Sequence, residues 1–382
     1  MNVLVPFGTR PEIVKLAPVV GALGRTGLAV TTVATGQHYD PSLADTFFDD
    51  LGLHPDRQWE LSGGSTERFG QMARLAADTV AEIGPDIVLL LGDTSTVPVF
   101  CLAARRHRVP VVHLEAGMRS FNPTSIEEVN RKVAAACTSL HLAPTDLAAS
   151  FLRAEGIPEE RIRVVGNPII DVLVDRGVVG RTLAERRGVV MTAHRATNVD
   201  DPTRLAHLVE IARALAAIAP PVVFPIHPRT EDRLAVAGLR ADLDVPGIAT
   251  PGPLPYGEML DALAGARLVV TDSGGLQEEA SWLGLPTVVL RRSTPRWEGI
   301  ASGASVLAGV DPQRAIDAAL RLLRPEHQER IAALPCPYGD GSTGRRVAAI
   351  LADPATAALV ALDEPDFTDG HLPIGAAEVL PR

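Results

Sequence analysis

The sequence predicts an α/β protein built from parallel, doubly wound sheets in two similar domains. Apolar runs of strand length alternate with helical patterns, turn residues follow most of these runs, and the pattern restarts near residue 188 after a polar stretch at 176–187. Alternating strands and helices form parallel sheets through right-handed crossovers. The length of 382 residues also exceeds one ordinary core, which favours two domains.

The first half contains a series of short apolar segments with the length and composition of buried strands. These predicted strands cover residues 3–7, 29–33, 86–91, 109–114, 140–143 and 163–165. Helical spacing predicts helices at 13–23, 67–83 and 169–175, and Ser125 is placed to cap a helix that begins near Glu127.

The second half repeats the order of strand, turn and helix. Its predicted strands cover residues 188–191, 222–226, 266–270 and 287–290. No close internal sequence repeat accompanies this order. A helix at 344–351 precedes a tail rich in proline, aspartate and alanine from residue 353, which we expect to be a poorly ordered or loosely docked extension.

Charged residues follow many of these strands, at the edge where open parallel sheets bind their ligands. The acids in such positions are Asp93 and Glu115, and Glu127 stands near a later helix start. The basic residues at or near strand ends are Arg10, Lys15, His194, Arg195, His227 and Arg296. A cleft lined in this way suits a nucleotide diphosphate with a polar sugar, because cations hold phosphate and acids handle hydroxyls or protons.

The turn after the strand at 266–270 carries the clearest phosphate-binding pattern. Asp272-Ser273-Gly274-Gly275 joins the strand to a helix, so backbone N–H groups point outward where a diphosphate can sit. Glu279 lies one turn further on, within reach of a ribose. Other interpretations stay open: an ordinary βα turn here, a solvated basic pair at Arg10 and Lys15, and a structural salt bridge at Glu115.

Composition excludes several other classes of protein. The net charge of −10 argues against nucleic acid as a partner, although local arginines still allow an anionic ligand. The three cysteines lack metal-ligand spacing and suit a reducing compartment. The first strand–helix turn lacks the dinucleotide fingerprint, so we expect no nicotinamide cofactor. No apolar run reaches transmembrane length and no signal peptide precedes the first strand, so we expect a cytoplasmic protein without membrane contact.

Taken in order, the motifs of this sequence resemble those of the non-hydrolysing UDP-N-acetylglucosamine 2-epimerase family. Each motif is weak alone, but the ordered set is specific and spans roughly residues 1–350. The matching segments are Gly8-Thr9-Arg10-Pro11-Glu12 with Lys15, Gln37-His38, Gly92-Asp93-Thr94, His113-Leu114-Glu115-Ala116-Gly117, Glu127-Glu128-Val129-Asn130-Arg131, Gly166-Asn167-Pro168, His194-Arg195, 272–279, and Arg296 with Glu298.

The resemblance implies two Rossmann-like domains of the GT-B type that face each other across a cleft, with the active site between them and a homodimer as the usual assembly. We expect an N-terminal domain at 1–168 and a C-terminal UDP-binding domain at 169–335. A helix at 342–352 is expected to pack back on the first domain, and the tail covers 353–382.

The resemblance also implies a mechanism. UDP is eliminated across C1–C2 of the bound sugar to leave a 2-acetamidoglucal, and it adds back after C2 is reprotonated on the other face. This chemistry needs no redox cofactor and no metal. It does need two proton-transfer groups, and we expect one carboxyl to have a raised pKa because a C2 proton is weakly acidic.

Residue roles follow from the same resemblance. The expected catalytic residues are Asp93, Glu115, Glu127 and His194. Arg10 and Ser273-Gly274-Gly275 would hold the diphosphate, Glu279 the ribose, and Met259 stands where an aromatic residue often packs near uracil. The other expected substrate-binding residues are Lys15, Gln37, His38, Arg131, Asn167, Arg195, His227 and Arg296.

Several activities remain open from the sequence. A hydrolysing relative would release N-acetylmannosamine and UDP, and another epimerase would act on a modified substrate such as a 2,3-diacetamido uronic sugar nucleotide. A GT-B glycosyltransferase would keep the nucleotide side but would not need Asp93, Glu115 and Glu127 together. A sugar-nucleotide sensor without activity would be expected to have lost one of these acids. We therefore expect an isomerase whose partner is a nucleotide sugar.

Overall fold

Two parallel sheets, each flanked by helices, form the protein. The computed structural model describes residues 1–36, 48 and 52–362. The first sheet contains β1 (Asn2–Phe7), β2 (Ala29–Ala34), β3 (Arg57–Gln58), β4 (Ile87–Leu91), β5 (Val111–Leu114), β6 (Leu140–Ala143) and β7 (Ile162–Val164). The second contains β8 (Val189–Thr192), β9 (Val222–Val223), β10 (Ile248–Ala249), β11 (Leu268–Thr271), β12 (Thr287–Val289) and β13 (Ser305–Leu307). We call the parts built on these sheets the first and second lobe.

Helices connect the strands and cover both faces of each sheet. In and after the first sheet they are Arg10–Gly24, Ser65–Ile83, Thr96–Arg106, Ile126–Cys137, Asp146–Ala154 and Pro168–Asp175. In the second lobe they are Ala196–Val199, Pro202–Ile218, Pro228–Ala237, Tyr256–Gly265, Gly274–Trp282, Trp297–Ala301, Pro312–Leu322 and Pro325–Ala332. Two helices end the described chain, Thr343–Ala352 and Pro354–Val360, and short 3₁₀ helices occur at Glu159–Arg161 and Arg240–Leu243.

Both sheets have the same doubly wound topology. The strand order is β3-β2-β1-β4-β5-β6-β7 in the first sheet and β10-β9-β8-β11-β12-β13 in the second, with every pairing parallel. The order reverses between β1 and β4 and again between β8 and β11. Such reversal points leave a crevice at the carboxyl ends of the strands, where ligands bind. The predicted fold class is confirmed.

The strands are apolar because helices bury them on both faces. All five residues of β4 are buried, and separate apolar clusters fill the two sides of each sheet. The helix Pro168–Asp175 follows the first sheet, yet its Ile169 and Ile170 pack with Val269 and Leu276 of the second lobe. This helix therefore joins the two lobes through apolar contact. Among the described residues, none of the helices combines the length and apolarity that a membrane span requires.

Two segments differ from the sequence-based expectation. The strand predicted at 222–226 pairs with both neighbours only at Val222–Val223. The Phe224 and Ile226 N–H groups still donate to the carbonyl oxygens of Ala249 at 2.8 Å and Pro251 at 2.9 Å, but Pro225 has no N–H group to continue the ladder on the other side. The tail predicted from 353 contains the helix Pro354–Val360, which Asp353 caps by accepting a hydrogen bond from the Ala355 N–H at 2.9 Å. Val360 is buried in the first-lobe core, so this part of the tail is packed rather than loose.

Buried histidines in the first sheet make the fold sensitive to acid. His113 on β5 and His141 on β6 are neighbours in the ladder, and both side chains are buried. Burial lowers the pKa of His113 to about 4 and that of His141 to about 3. The unfolded chain binds these protons near the ordinary value of 6.5. The stability they contribute is therefore complete above that pH and is lost as the pH falls toward 4.

We expect the two buried histidines to lower the urea midpoint on going from about pH 7 to about pH 5, because their protons then bind the unfolded chain preferentially. Glu12 and Glu279, with pKa values of about 7 in the folded chain, act in the opposite direction. The double variant His113→Gln/His141→Gln should lose the histidine contribution to the slope of midpoint against pH, even if its stability is lower throughout. The exposed His107 provides the control, and His107→Gln should keep the full slope. An unchanged slope in the double variant would show that other groups cause the acid sensitivity.

Candidate active site

The carboxyl ends of the two sheets open onto one cavity of about 1570 Å³ between the lobes. From the first lobe the segment 121–127, including Glu127, lines it. From the second lobe His194, Arg195 and Arg291 contribute to the wall. The cavity therefore lies at the edge of both sheets where the strands end, which is the edge at which open parallel sheets bind ligands.

A chain of buried charges crosses the gap between the lobes. The Lys15 ammonium binds the Glu115 carboxylate of the first lobe and lies 2.8 Å from Glu278 Oε2 of the second. Glu278 Oε1 in turn accepts a hydrogen bond from Arg296 Nε at 2.9 Å and lies 2.8 Å from the Arg296 Nη2 atom. Burial alone would lower the pKa of Lys15, but the carboxylates of Glu115 and Glu278 raise it above its ordinary value. Lys15 therefore stays charged and holds an acid from each lobe.

Glu115 is fixed in a strained position at the end of β5. Its backbone has a φ of 64°, a left-handed conformation that few residues other than glycine adopt. The Asn167 Nδ2 group donates a hydrogen bond to its carboxylate at 2.8 Å. Burial would raise the pKa of Glu115, yet Lys15 and Arg296 hold it below its ordinary value. The Glu115 side chain is therefore ionised, and its partners Lys15 and Asn167 fix its orientation.

Asp93 follows β4 and pairs with Arg131 from the helix Ile126–Cys137. Arg131 also binds Glu128, whose Oε2 atom lies 2.6 Å from its Nη2 atom. About a third of the Asp93 side chain, 31%, remains exposed. Burial raises the pKa of Asp93 above its ordinary value, although Arg131 and Arg296 oppose this shift. This carboxyl is the one of the three predicted acids whose pKa is raised.

Glu127 is the predicted acid that directly lines the cavity. We expected Ser125 to cap this helix, but the helix begins at Ile126 and the Ser125 hydroxyl donates to the Glu127 carboxylate instead. The carboxylate is the stronger acceptor because it is charged. Burial would raise the pKa of Glu127, but the hydrogen bond from Ser125 and the charges of Arg195 and Arg131 lower it.

In the second lobe, Asp272 organises the predicted phosphate-binding turn. The buried carboxylate accepts from the backbone N–H groups of His194 at 3.1 Å and Arg195 at 2.9 Å, and from Asn198 Nδ2 at 3.0 Å. The His194 ring lies beside it, with Nδ1 3.3 Å from Oδ1. The loop after β8 is thereby held against the turn after β11.

The turn itself brings Arg296 onto a helix N-terminus. Ser273 precedes the helix Gly274–Trp282, whose first N–H groups have no partner within the helix. The Arg296 guanidinium lies so close to Gly274 that a Cβ there would be 2.8 Å from the Arg296 Cζ atom. Only glycine allows this approach. A diphosphate at this point would meet both the guanidinium and the helix N-terminus.

Glu279 sits further along the same helix and is buried. Its Oε1 atom accepts a hydrogen bond from the Tyr256 hydroxyl at 2.9 Å, and burial raises its pKa to about 7. Met259 lies on the same helix as Tyr256 and is half-buried. These residues form one wall beside the Ser273-Gly274-Gly275 turn.

The remaining predicted residues lie at the margin of the site or outside the described chain. Arg10 is exposed at the start of the helix Arg10–Gly24. His227 caps the helix Pro228–Ala237, with its ring 5.7 Å from that of His194. Burial and the neighbouring His194 lower its pKa. Gln37 and His38 lie outside the described residues, so their predicted roles stay predictions.

Sequence reasoning assigned no role to several residues of this region. Glu12 is buried and accepts hydrogen bonds from the Gly8 N–H at 2.9 Å, the Thr9 hydroxyl at 3.0 Å and the Thr94 hydroxyl at 2.8 Å. Burial raises its pKa to about 7. Glu12 thus ties the loop after β1 to the loop after β4. Sequence reasoning had no signal for this role of Glu12, because an acid in the first turn of a helix is an ordinary stabiliser.

Trp297 and Glu298 also cross between the lobes. The Trp297 Nε1 group donates to the Arg119 carbonyl oxygen at 2.8 Å. Glu298 accepts from the Thr145 hydroxyl at 2.5 Å and from the Tyr338 hydroxyl at 3.1 Å. These contacts surround the charge chain and hold the lobes together at the cavity. Within the described part of the chain, no group of three or more His, Cys, Asp or Glu residues is placed to hold a metal ion.

Comparison with known proteins adds to this geometry. The family model described as UDP-N-acetylglucosamine 2-epimerase matches residues 22–352. The UDP-N-acetylglucosamine 2-epimerase of Methanocaldococcus jannaschii is 35% identical over 92% of this chain and 99% of its own. The UDP-2,3-diacetamido-2,3-dideoxy-D-glucuronate 2-epimerase of Pseudomonas aeruginosa is 34% identical over 92% of this chain and 99% of its own. The crystal structure of the M. jannaschii enzyme with UDP-GlcNAc and UDP aligns with a TM-score of 0.82 at 34% identity, covering 92% of this chain and 99% of that one.

We expect Lys15→Met to lower the free energy of unfolding by about 3–5 kcal/mol near neutral pH, because Glu115 and Glu278 are then buried without their shared cation. The loss should shrink as the pH falls, since the two carboxyls can then bind protons. Urea unfolding of the variant and the wild type at several pH values measures both effects.

The exposed pair Arg57–Glu82 supplies the control, because Arg57→Met removes a surface ion pair of small value. That variant should unfold near the wild-type midpoint. A Lys15→Met protein as stable as the wild type at neutral pH would mean that the charge chain does not hold the lobes.

Proposed function

Because the chain belongs to the UDP-N-acetylglucosamine 2-epimerase family, we propose that it interconverts UDP-N-acetylglucosamine and UDP-N-acetylmannosamine by epimerisation at C2. The observation that supports this proposal is the division of charge between the two lobes. The first lobe carries three carboxyl groups, at Asp93, Glu115 and Glu127, of which Glu127 lines the cavity, and the second lobe presents Arg296 and a helix N-terminus. We propose that the first lobe transfers protons and that the second binds the diphosphate.

The proposed reaction begins with elimination. A carboxylate takes the C2 proton, the C1–C2 double bond forms, and the C1–O bond breaks with its electron pair leaving on UDP. In the second step a carboxylic acid on the other face gives a proton to C2, and a diphosphate oxygen attacks C1. The directions of the pKa shifts suit this exchange, because burial raises the pKa of Asp93 above its ordinary value, whereas the pKa values of Glu115 and Glu127 lie below theirs.

Stabilisation of the departing diphosphate is the task of the second lobe. Negative charge builds up on the β-phosphate oxygen as the C1–O bond breaks, and fixed donors lower the barrier most where charge develops. Arg296 is suited to this role because Glu278, Glu115 and Asp93 raise its pKa despite its burial. Cations that keep UDP in place after elimination also allow it to add back, which favours epimerisation over release of free sugar.

Two alternatives are weaker on the same grounds. Hydrolysis would need water at C1 or escape of the glucal, and the ionic contacts that hold UDP oppose both. A GT-B glycosyltransferase would need an acceptor site and would have no use for three carboxyls on the first lobe. A diacetamido uronic sugar nucleotide is the second candidate substrate, because the relative from P. aeruginosa, named for a diacetamido glucuronate, is about as similar as the one from M. jannaschii.

We further propose that the protein works as a cytoplasmic homodimer, without a nucleic-acid partner and with the roles predicted above for Arg10, Lys15, Asn167, His194 and Glu279. The acidic net charge of −10 supports the lack of a nucleic-acid partner. The domain limits at 168 and 335 are proposed on the same resemblance.

Incubation with UDP-N-acetylglucosamine in heavy water tests the reaction directly. We expect deuterium at C2 in both epimers, with the UDP linkage intact, because the proton that returns comes from a carboxyl in exchange with solvent. NMR and mass spectrometry follow the label. Free N-acetylmannosamine would indicate hydrolysis instead, and transfer to an added acceptor without label would indicate a glycosyltransferase.

Asp93→Asn tests the proposed proton transfer. We expect turnover to fall by about 10²–10⁴-fold, since general acid–base catalysis contributes on that scale. In the wild type, the pH–rate profile should show a group titrating above the ordinary aspartate value of 3.8, and the variant should lack it. Asp232→Asn, at an exposed acid, is the matched control and should behave like the wild type. An Asp93→Asn enzyme with near-normal turnover would remove Asp93 from the mechanism.

A further inference from the structure

Arg291 is a partly buried cation that forms no ion pair with the described residues. The residue follows β12, and the Leu290 N–H just before it donates to the Thr271 carbonyl oxygen at 2.8 Å. This bond places Arg291 beside the turn at Asp272, on the wall of the cavity. Its Nη1 atom is buried, and among the described residues it has no hydrogen-bond partner.

The surroundings make this lack of a partner costly. Burial, together with the positive charges of Arg195 and Arg296, lowers the pKa of Arg291 to about 9, although the carboxylates of Glu127 and Asp272 oppose this shift. Asp272 already accepts hydrogen bonds from the loop after β8, and Ser125 binds Glu127. Buried polar groups are almost always paired, and a buried charge without a partner destabilises the fold. Such an exception is typical of a site that awaits a ligand.

Arginine neighbours on both sides indicate which ligand would pair with it. The Arg195 Nε group donates to the Asp272 carbonyl oxygen at 3.0 Å, and Arg296 lies over Gly274. Arg291 follows the residue that is bonded to Thr271, and it lines the cavity together with Arg195. Arg296 already has an ion-pair partner in Glu278, whereas the buried Nη1 atom of Arg291 has no partner among the described residues. A ligand group with two adjacent negative charges fits this arrangement.

We propose that Arg291 binds the diphosphate of the nucleotide sugar and that the phosphate oxygens supply the partner that its guanidinium lacks in the free protein. This inference rests on the proposed function, because it takes the ligand of the cavity to be a nucleotide diphosphate. Arg291 then stabilises the bound state and destabilises the free one, which a purely structural arginine would not do.

Arg291→Met separates these two effects, since methionine fills similar space without charge or donors. We expect the melting temperature of the free variant to equal or exceed that of the wild type, because an unpaired buried charge has been removed. We expect its affinity for UDP to fall at least about tenfold, the effect of one charge-assisted hydrogen bond. Its affinity for uridine, which has no phosphate, should stay unchanged. Calorimetry with UDP and uridine measures both affinities.

Arg292→Met is the matched control, because it removes the same charge from an exposed side chain one residue further along. Its UDP affinity should stay within about twofold of the wild type, as expected for a solvent-screened charge. A lower melting temperature of free Arg291→Met, an unchanged UDP affinity, an equal loss in Arg292→Met or a loss of uridine binding would each overturn the inference. Failure of the wild type to bind UDP would overturn the proposed function itself. If the wild type binds UDP and epimerises the sugar, and Arg291→Met binds UDP equally well, only the assignment of Arg291 is overturned.

Discussion

The Lys15 ammonium, buried between one carboxylate of each lobe, is the interaction on which the arrangement of this protein depends. Glu115 belongs to the first lobe and Glu278 to the second, and neither carboxylate is stable in the interior without a cation. Because Glu115 and Glu278 share one ammonium group, separation of the lobes at this point would leave at least one of the two carboxylates without Lys15. The same contact sets the direction of Glu115, whose backbone already departs from the usual conformations. Structure and proposed chemistry therefore depend on one group.

Charge is divided unequally around the cavity, and this division controls which groups hold protons. Burial favours a higher pKa at all three first-lobe acids, but the pKa is raised only at Asp93, where the charges of Arg131 and Arg296 do not fully offset burial. At Glu115 and Glu127, ammonium, guanidinium and hydroxyl partners outweigh burial and keep the groups ionised. Carboxyls that differ in this way can act as acid and base in one reaction. The difference between these pKa shifts comes from the charged and hydrogen-bonding partners of each carboxyl, since aspartate and glutamate have similar ordinary pKa values.

Several departures from ideal structure involve the predicted site residues and their neighbours. Glu115 adopts a left-handed backbone, Glu12 and Glu279 are buried with pKa values of about 7, and the Nη1 atom of Arg291 lacks a partner among the described residues. Each of these features costs stability, and a sequence selected for stability alone would avoid them. Burial of the apolar clusters behind both sheets stabilises the fold and offsets the free energy that these features cost. The costly features near the cavity therefore depend on the stability that the packed cores behind the sheets provide.

The sequence by itself determined the fold class, most of the strands and the residues that follow them, because periodicity and turn chemistry act over a few residues. The short strands β3, β10 and β13 and the order of strands within each sheet came only from the structure. Periodicity and turn chemistry located Asp93, Glu115 and the turn at 272–275, at strand ends that any parallel sheet brings to one edge. Only the tertiary structure decided their partners: Lys15 meets Glu115 across 100 residues and Glu278 across 263. Short-range patterns carry no information about such distant contacts, so the role of Glu278 and the unpaired charge of Arg291 became visible only once the lobes were packed together.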